Sequence, residues 1–144
     1  MVHEALRSAR KCENPNRIVT VSCWPLRVLA DNRLANDIRQ QLDSLLEILS
    51  GEPNPVSRID ALKTLIATLR DGPMDCLYRV LAQFEEGCRV CKGWKGDYNL
   101  RFVAPLVDKV DPKRATELLD LIKQPRMRRR ALKDIESARA ERIR

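Results

Sequence analysis

Apolar residues recur at intervals of three and four from Asp31 to the end of the chain, which is the spacing of one face of an α-helix. Gly and Pro interrupt this pattern near residues 51–53, 72–73, 93–96 and 112, and a further stop is expected before Arg126. The sequence therefore predicts six helices. Their predicted core-facing residues are Leu34, Ile38, Leu42, Leu45, Leu46 and Leu49; Ile59, Leu62, Leu65, Ile66 and Leu69; Met74, Leu77, Leu81, Phe84, Cys88 and Cys91; Phe102, Leu106 and Val110; Ala115, Leu118, Leu119 and Ile122; and Met127, Ala131, Ile135 and Ala138.

The connections between these helices are short, which places successive helices antiparallel as neighbours. Three hairpins are expected, at roughly 31–71, 73–110 and 112–142. The fold class predicted is all-α, with antiparallel helical hairpins stacked as a short α-solenoid or an orthogonal helical bundle. At 144 residues the length suits one structural domain, with the helical-hairpin repeat region over 31–144.

Residues 1–30 form an N-terminal segment whose structure the pattern leaves open. Residues 2–11 have the spacing of a short helix, and residues 17–24 are rich in β-branched side chains, as strands are. A lone strand cannot satisfy its backbone groups, and no partner strand is predicted elsewhere. Helix or extended structure is expected equally for residues 12–30.

The chain also matches itself. Residues 55–63 and residues 125–133 share the pattern P-x-x-R-x-x-A-L-K, at an offset of 70 residues. Each copy stands at the start of a predicted helix. An internal repeat of this kind is typical of stacked helical units.

Through Arg58-x-x-Ala61-Leu62 and Arg128-x-x-Ala131-Leu132, together with the hairpin spacing, residues 31–142 resemble the α-solenoid families of the HEAT-like or tetratricopeptide-like kind. The Trp, Gly and Tyr signature of the tetratricopeptide repeat is absent. The resemblance implies a concave face that binds another protein or a nucleic acid.

The net charge of +7 favours an acidic partner. Residues 124–144 hold seven Arg and one Lys against one Asp and two Glu, so they carry +5 of this charge. In a helix Arg126, Arg129, Arg130 and Lys133 share one face, where guanidinium groups suit carboxylates or phosphates. The alternative is a solvated outer face on a terminal helix.

A second candidate is the segment 92–98, read as a loop that contains Lys92, Trp94 and Lys95. Because loops often carry binding residues, one hypothesis is that this loop contacts a phosphate or a partner. A plain connection whose Trp94 folds back onto the core is the preferred interpretation of this segment. Aromatic residues make up only 4% of the chain, which argues against an aromatic stacking platform for single-stranded nucleic acid.

Cys88 and Cys91 form a C-x-x-C, a spacing that can supply two thiolates to zinc. A complete ligand set is not evident, because the other cysteines and His3 form no second motif of this kind. Both cysteines fall on the apolar face of their helix, so core packing is preferred and metal binding is a weak alternative. No metal or other cofactor is predicted.

Catalysis has little support, since His3 is the only histidine and no pair of carboxylates stands out. No apolar run approaches the length of a membrane span, no membrane partner is expected, and no secretory signal is recognisable, so a cytoplasmic location is expected. The sequence thus predicts a non-catalytic helical-repeat interaction module or adaptor with a basic C-terminal helix that binds an acidic protein. The alternative is a nucleic-acid-binding protein that uses this helix; the oligomeric state stays open.

Overall fold

The computed structural model describes residues 1–143, which form eight α-helices and no strand. The fold is all-α, as predicted. The helices are α1 (Val2–Ala9), α2 (Pro15–Asp31), α3 (Ala35–Leu49), α4 (Pro55–Leu69), α5 (Met74–Val90), α6 (Lys95–Asp108), α7 (Pro112–Leu121) and α8 (Pro125–Ile143).

The N-terminal segment left open by the sequence is helical, and the strand-like residues 17–24 lie inside α2. Asn14 caps this helix by accepting a hydrogen bond from the backbone N–H of Arg17, and Pro15 occupies the first turn, where its missing N–H costs nothing. The β-branched Ile18 and Val19 are buried. Tertiary burial therefore outweighs their strand preference.

The chain divides into two compact units, Met1–Phe84 and Glu85–Arg144, with the division inside α5. In the first unit α2 packs against α1, α3 and α4. Asn16 donates to the carbonyl of Ser57 and Arg27 to that of Thr68, at 2.6 Å and 3.1 Å, so the same offset of 41 residues holds at both ends of α2. A constant offset means that α2 and α4 run parallel.

Two ion pairs show that α3 and the first part of α5 also run parallel. Arg39 contacts Asp75, and Asp43 contacts Arg79, each across 36 residues. Next-but-one helices are thus parallel in this unit, which is the arrangement expected where short connections make successive helices antiparallel.

The second unit repeats this arrangement. Its central helix α6 packs against α7 and α8. Arg101 contacts Asp134 at 2.8 Å and Asp108 contacts Arg139 at 2.6 Å, across 33 and 31 residues, so α6 and α8 are parallel.

The repeated motif has one structural role in both copies. It begins α4 and α8, with Pro55 and Pro125 as their first residues. Arg58 donates to the backbone carbonyl of Glu52, and Arg128 donates to that of Ile122 at 2.7 Å, in each case six residues upstream. The arginine therefore satisfies a carbonyl that the preceding connection leaves without a helical partner.

The predicted core residues of α3, α4, α5 and α7 are buried, apart from Leu34 and Met74 at the helix starts. In α8 Ala131 and Ile135 are buried, and Met127 and Ala138 are half-buried. The stripe predicted for α6 is wrong: Phe102 and Val110 are exposed and Leu106 is half-buried. The buried residues of this helix are instead Gly96, Asp97, Asn99, Leu100, Val103, Ala104, Val107 and Asp108.

Two apolar stripes at helical spacing compete in α6, and periodicity alone cannot choose between them. The stripe that the folded protein buries is the one that faces α7 and α8. Pro105 lies within α6 without ending it, so the helix is continuous from Lys95 to Asp108.

Leu62 and Leu132 hold the same position of the repeated motif but are 0% and 44% exposed. We expect Leu62→Ala to lower the free energy of unfolding by about 2–5 kcal/mol, because it deletes buried methyl groups and leaves a cavity. Leu132→Ala should change it by less than about 0.5 kcal/mol. Urea denaturation followed by circular dichroism measures both, and equal losses would contradict this difference in environment.

Candidate functional site

The cations of α8 fall into two groups. The helix carries six arginines and one lysine. Arg128 is bound to the backbone of the preceding connection, and Arg139 and Arg142 both contact the carboxylate of Asp108. These three have structural roles.

The other four cations are those predicted from the sequence as a binding face: Arg126, Arg129, Arg130 and Lys133. All four are exposed, and none forms an ion pair or hydrogen bond with any of residues 1–143. With Leu132 and Glu136 they line a shallow depression of about 470 Å³. The structure brings the predicted residues together and leaves their charges available.

A stripe of aromatic side chains lies on α6. Trp94, Tyr98 and Phe102 follow each other at intervals of four residues, and each is about half exposed, at 54%, 50% and 49%. They are three of the six aromatic residues in the chain. Exposed aromatic groups at this density are unusual outside binding surfaces.

Trp94 stands immediately before the first residue of α6. Its ring packs edge to face against Tyr98, with centroids 5.9 Å apart, and the Lys95 ammonium lies 4.5 Å from its centroid. Gly93, the residue before Trp94, has a positive φ of 88°, which glycine adopts without strain.

The predicted loop is shorter than the sequence suggested, because Lys95 already belongs to the helix. Lys92 remains in the connection and is exposed. The expectation that Trp94 folds back onto the core is wrong.

The stripe and the four cations lie on neighbouring helices. Tyr98, Arg101 and Phe102 of α6 line a second depression, of about 330 Å³, together with Asp134 of α8. Arg130 precedes Asp134 by one helical turn and so lies on the same side of α8. Arg101 lies opposite Asp134, an offset of 33 residues. Because α6 and α8 are parallel, the same offset places residues 94–98 beside residues 127–131 along the helix axes. We call Trp94, Tyr98, Phe102 and the four cations, with Leu132, the α6–α8 surface.

Buried Asp97 fixes the start of α8 against the start of α6. Asp97 is 3% exposed, and its carboxylate accepts hydrogen bonds from the backbone N–H groups of Lys123 and Gln124, at 2.9 Å and 3.0 Å. The Lys123 ammonium in turn donates to the carbonyl of Cys91 at 2.9 Å. These bonds hold the connection that leads into the basic helix.

Asp108 does the same at the other end of α6. Hydrogen bonds from Arg139 and Arg142 hold the pKa of this carboxyl below its usual value, although burial acts in the opposite direction. The Asp108 side chain is only 1% exposed. A buried carboxylate with two guanidinium partners ties the far end of α8 to α6.

Cys88 and Cys91 are buried, at 3% and 2% exposure. Burial raises the pKa of the Cys88 thiol to about 12, with a smaller contribution from Cys91 nearby. Both side chains pack in the core, where a free cysteine behaves as a small apolar residue. Within residues 1–143 there is no group of three or more His, Cys, Asp or Glu side chains that could hold a metal ion.

Sequence reasoning missed Tyr98, Phe102 and Leu132. The four-residue spacing of the three aromatics was visible, but it also fits a core stripe.

No protein-family model matches the chain, and no significant similarity to a curated protein or to a solved structure was found. None of the described helices is both long enough and apolar enough to span a bilayer.

We expect Asp108→Asn to lower the free energy of unfolding by about 1–3 kcal/mol at neutral pH, because three charge-assisted hydrogen bonds from Arg139 and Arg142 are lost or weakened. The folded-state pKa of Asp108 lies below its unfolded value, near 3.9. Its stabilisation is therefore fully present above the unfolded pKa and is lost as pH falls through the folded pKa.

Urea titrations between neutral pH and about pH 2 measure this, with the exposed Asp120→Asn as the control. The difference between wild type and Asp108→Asn should shrink in acid. A difference that stays constant down to the lowest pH would contradict the assignment.

Proposed function

We propose that this protein is a non-catalytic interaction module that binds an acidic, partly apolar segment of a protein partner on the α6–α8 surface. One observation carries the proposal. Four exposed cations without partners among residues 1–143 lie on α8, and three half-exposed aromatic side chains lie on α6, the neighbouring parallel helix.

Charge complementarity supports an acidic partner. The ion pairs of α8 show what an arginine does where a carboxylate is present, as Arg139 and Arg142 do with Asp108. No carboxylate of residues 1–143 contacts Arg126, Arg129 or Arg130, and a partner's Asp or Glu side chains would supply one. Planar guanidinium groups bind carboxylates in two-pronged fashion.

The aromatic stripe supports a protein rather than a simple polyanion. Tryptophan, tyrosine and arginine dominate the binding energy of protein interfaces, since they bury a large area at a small cost in conformational entropy. Leu132 adds an apolar contact among the cations. A partner segment that combines acidic and apolar side chains would engage both parts of the surface.

Nucleic acid is the competing candidate, and the same four cations favour it. Glu136 lines the same depression, however, and would repel a continuous phosphate backbone. A peptide can place its acidic side chains away from Glu136. The mixed composition of the surface therefore favours a protein segment.

A repeat-protein architecture is part of the proposal. The parallel next-but-one helices in each unit and the shared role of Arg58 and Arg128 support a helical-hairpin repeat of HEAT-like kind. Such repeats present helix faces to partners.

The test is fluorescence anisotropy with three labelled probes: a peptide that alternates Asp or Glu with Leu or Phe, a peptide of equal charge with Ser at the apolar positions, and oligouridylate RNA. We expect the acidic–apolar peptide to bind most tightly at moderate ionic strength. Arg129→Glu/Arg130→Glu should weaken this binding by at least about tenfold, since charged partners are lost and like charges introduced. Trp94→Ala/Tyr98→Ala should reduce the affinity to that of the Ser peptide.

The matched control is Lys109→Glu/Lys113→Glu, which changes the net charge equally at two exposed lysines outside the surface. It should affect binding much less than the arginine variant. Tighter binding of RNA than of either peptide, lost in the arginine variant, would replace this proposal by the nucleic-acid function. Equal losses in both charge variants, or no binding of any probe, would refute a site on α6 and α8.

A further inference from the structure

The first unit holds an arginine whose environment differs from that of the others. Arg10 follows the last residue of α1, and its guanidinium reaches both α2 and α3. It donates to Ser22 Oγ at 3.3 Å, to Gln41 Oε1 at 2.9 Å and to Ser44 Oγ at 3.4 Å. All three acceptors are neutral.

Other arginines that join helices in this unit contact a carboxylate. Arg27 pairs with Asp71, Arg39 with Asp75, and Arg79 with Asp43. Within residues 1–143 no carboxylate contacts Arg10. Burial without a compensating negative charge lowers the pKa of Arg10.

The Arg10 guanidinium faces an open cleft of about 300 Å³ between α1 and α3. The cleft is lined by His3, Leu6, Arg7, Arg10, Gln40, Gln41 and Ser44. Arg7 is exposed and has no ion-pair partner among the described residues. Two arginines therefore face one cleft that holds no acidic side chain.

The remaining donors also suit an anion. A guanidinium has five N–H groups, and Arg10 uses three at most for its protein contacts. The Ser44 hydroxyl and the side-chain amides of Gln40 and Gln41 can donate from the α3 side of the cleft. Two positive charges in one cleft match the charge of a phosphate dianion better than that of a carboxylate, and donors from two helices can bond to several of its oxygens.

We propose that this cleft binds a phosphate group, either as free phosphate or as a phosphate monoester, with Arg7 and Arg10 as its charged ligands. The site belongs to the first unit and uses none of the residues of the α6–α8 surface. A bound phosphate would neutralise the positive charge of Arg10, which no carboxylate of residues 1–143 contacts.

The experiment is calorimetric titration of the whole protein with potassium phosphate, O-phosphoserine and acetate at constant ionic strength, accompanied by amide NMR spectra. Phosphate or phosphoserine should bind and shift the amide resonances of residues 7–10 and 40–44, with acetate clearly weaker. Tighter binding of phosphoserine than of phosphate would identify a monoester as the ligand. Equal or weaker binding would identify the free anion.

Arg7→Gln removes an exposed ligand without touching the core, and should weaken phosphate binding by about tenfold. The matched control, Lys11→Gln, removes one charge from an exposed neighbour outside the cleft and should leave the affinity unchanged. Arg10→Lys keeps the charge but loses the fork of donors, and should also weaken binding. Equal affinity for acetate, equal losses in Arg7→Gln and Lys11→Gln, or no binding at millimolar phosphate would overturn the proposal.

Discussion

The connections between helices are short, and the backbone carbonyl groups within them need hydrogen-bond donors from elsewhere in the chain. In both units an arginine at the fourth position of the next helix supplies one. Arg58 and Arg128 each reach back six residues to a backbone carbonyl, and the prolines that begin α4 and α8 need no N–H partner of their own. This interaction ties each of the two helices to the connection that precedes it.

The fixed start of α8 determines which of its charges are available. Asp97 binds the backbone before the helix, and Asp108 binds two arginines near its end, so α8 is attached to α6 at both ends. Between these attachments Ala131 and Ile135 face the core. Arg126, Arg129, Arg130 and Lys133 are left on the outer side, where they serve no structural contact. The basic face is therefore a consequence of how the helix is docked.

Much of the fold followed from periodicity and punctuation in the sequence. Leucine stripes at three- and four-residue spacing located α3, α4 and α7, because each of these helices has only one apolar face. Gly51 with Pro53 marked the end of α3, Gly72-Pro73 marked the end of α4, and Asp111-Pro112 marked the start of α7. The four cations of α8 were also found in this way, since charged residues rarely occupy a buried face. Residues 17–24 could not be assigned, because β-branched side chains suit a buried helix as well as a strand.

What the sequence determined by itself was the all-α class, the order of helices from α3 onwards and the cationic face of the last helix. These depend on local spacing and on the cost of burying charge. Only the tertiary structure decided which face of α6 is buried, and hence that Trp94, Tyr98 and Phe102 lie outside. It alone also placed Arg10 among neutral acceptors while Arg27 received a carboxylate. Such outcomes depend on contacts between residues more than 30 positions apart, which local spacing does not encode.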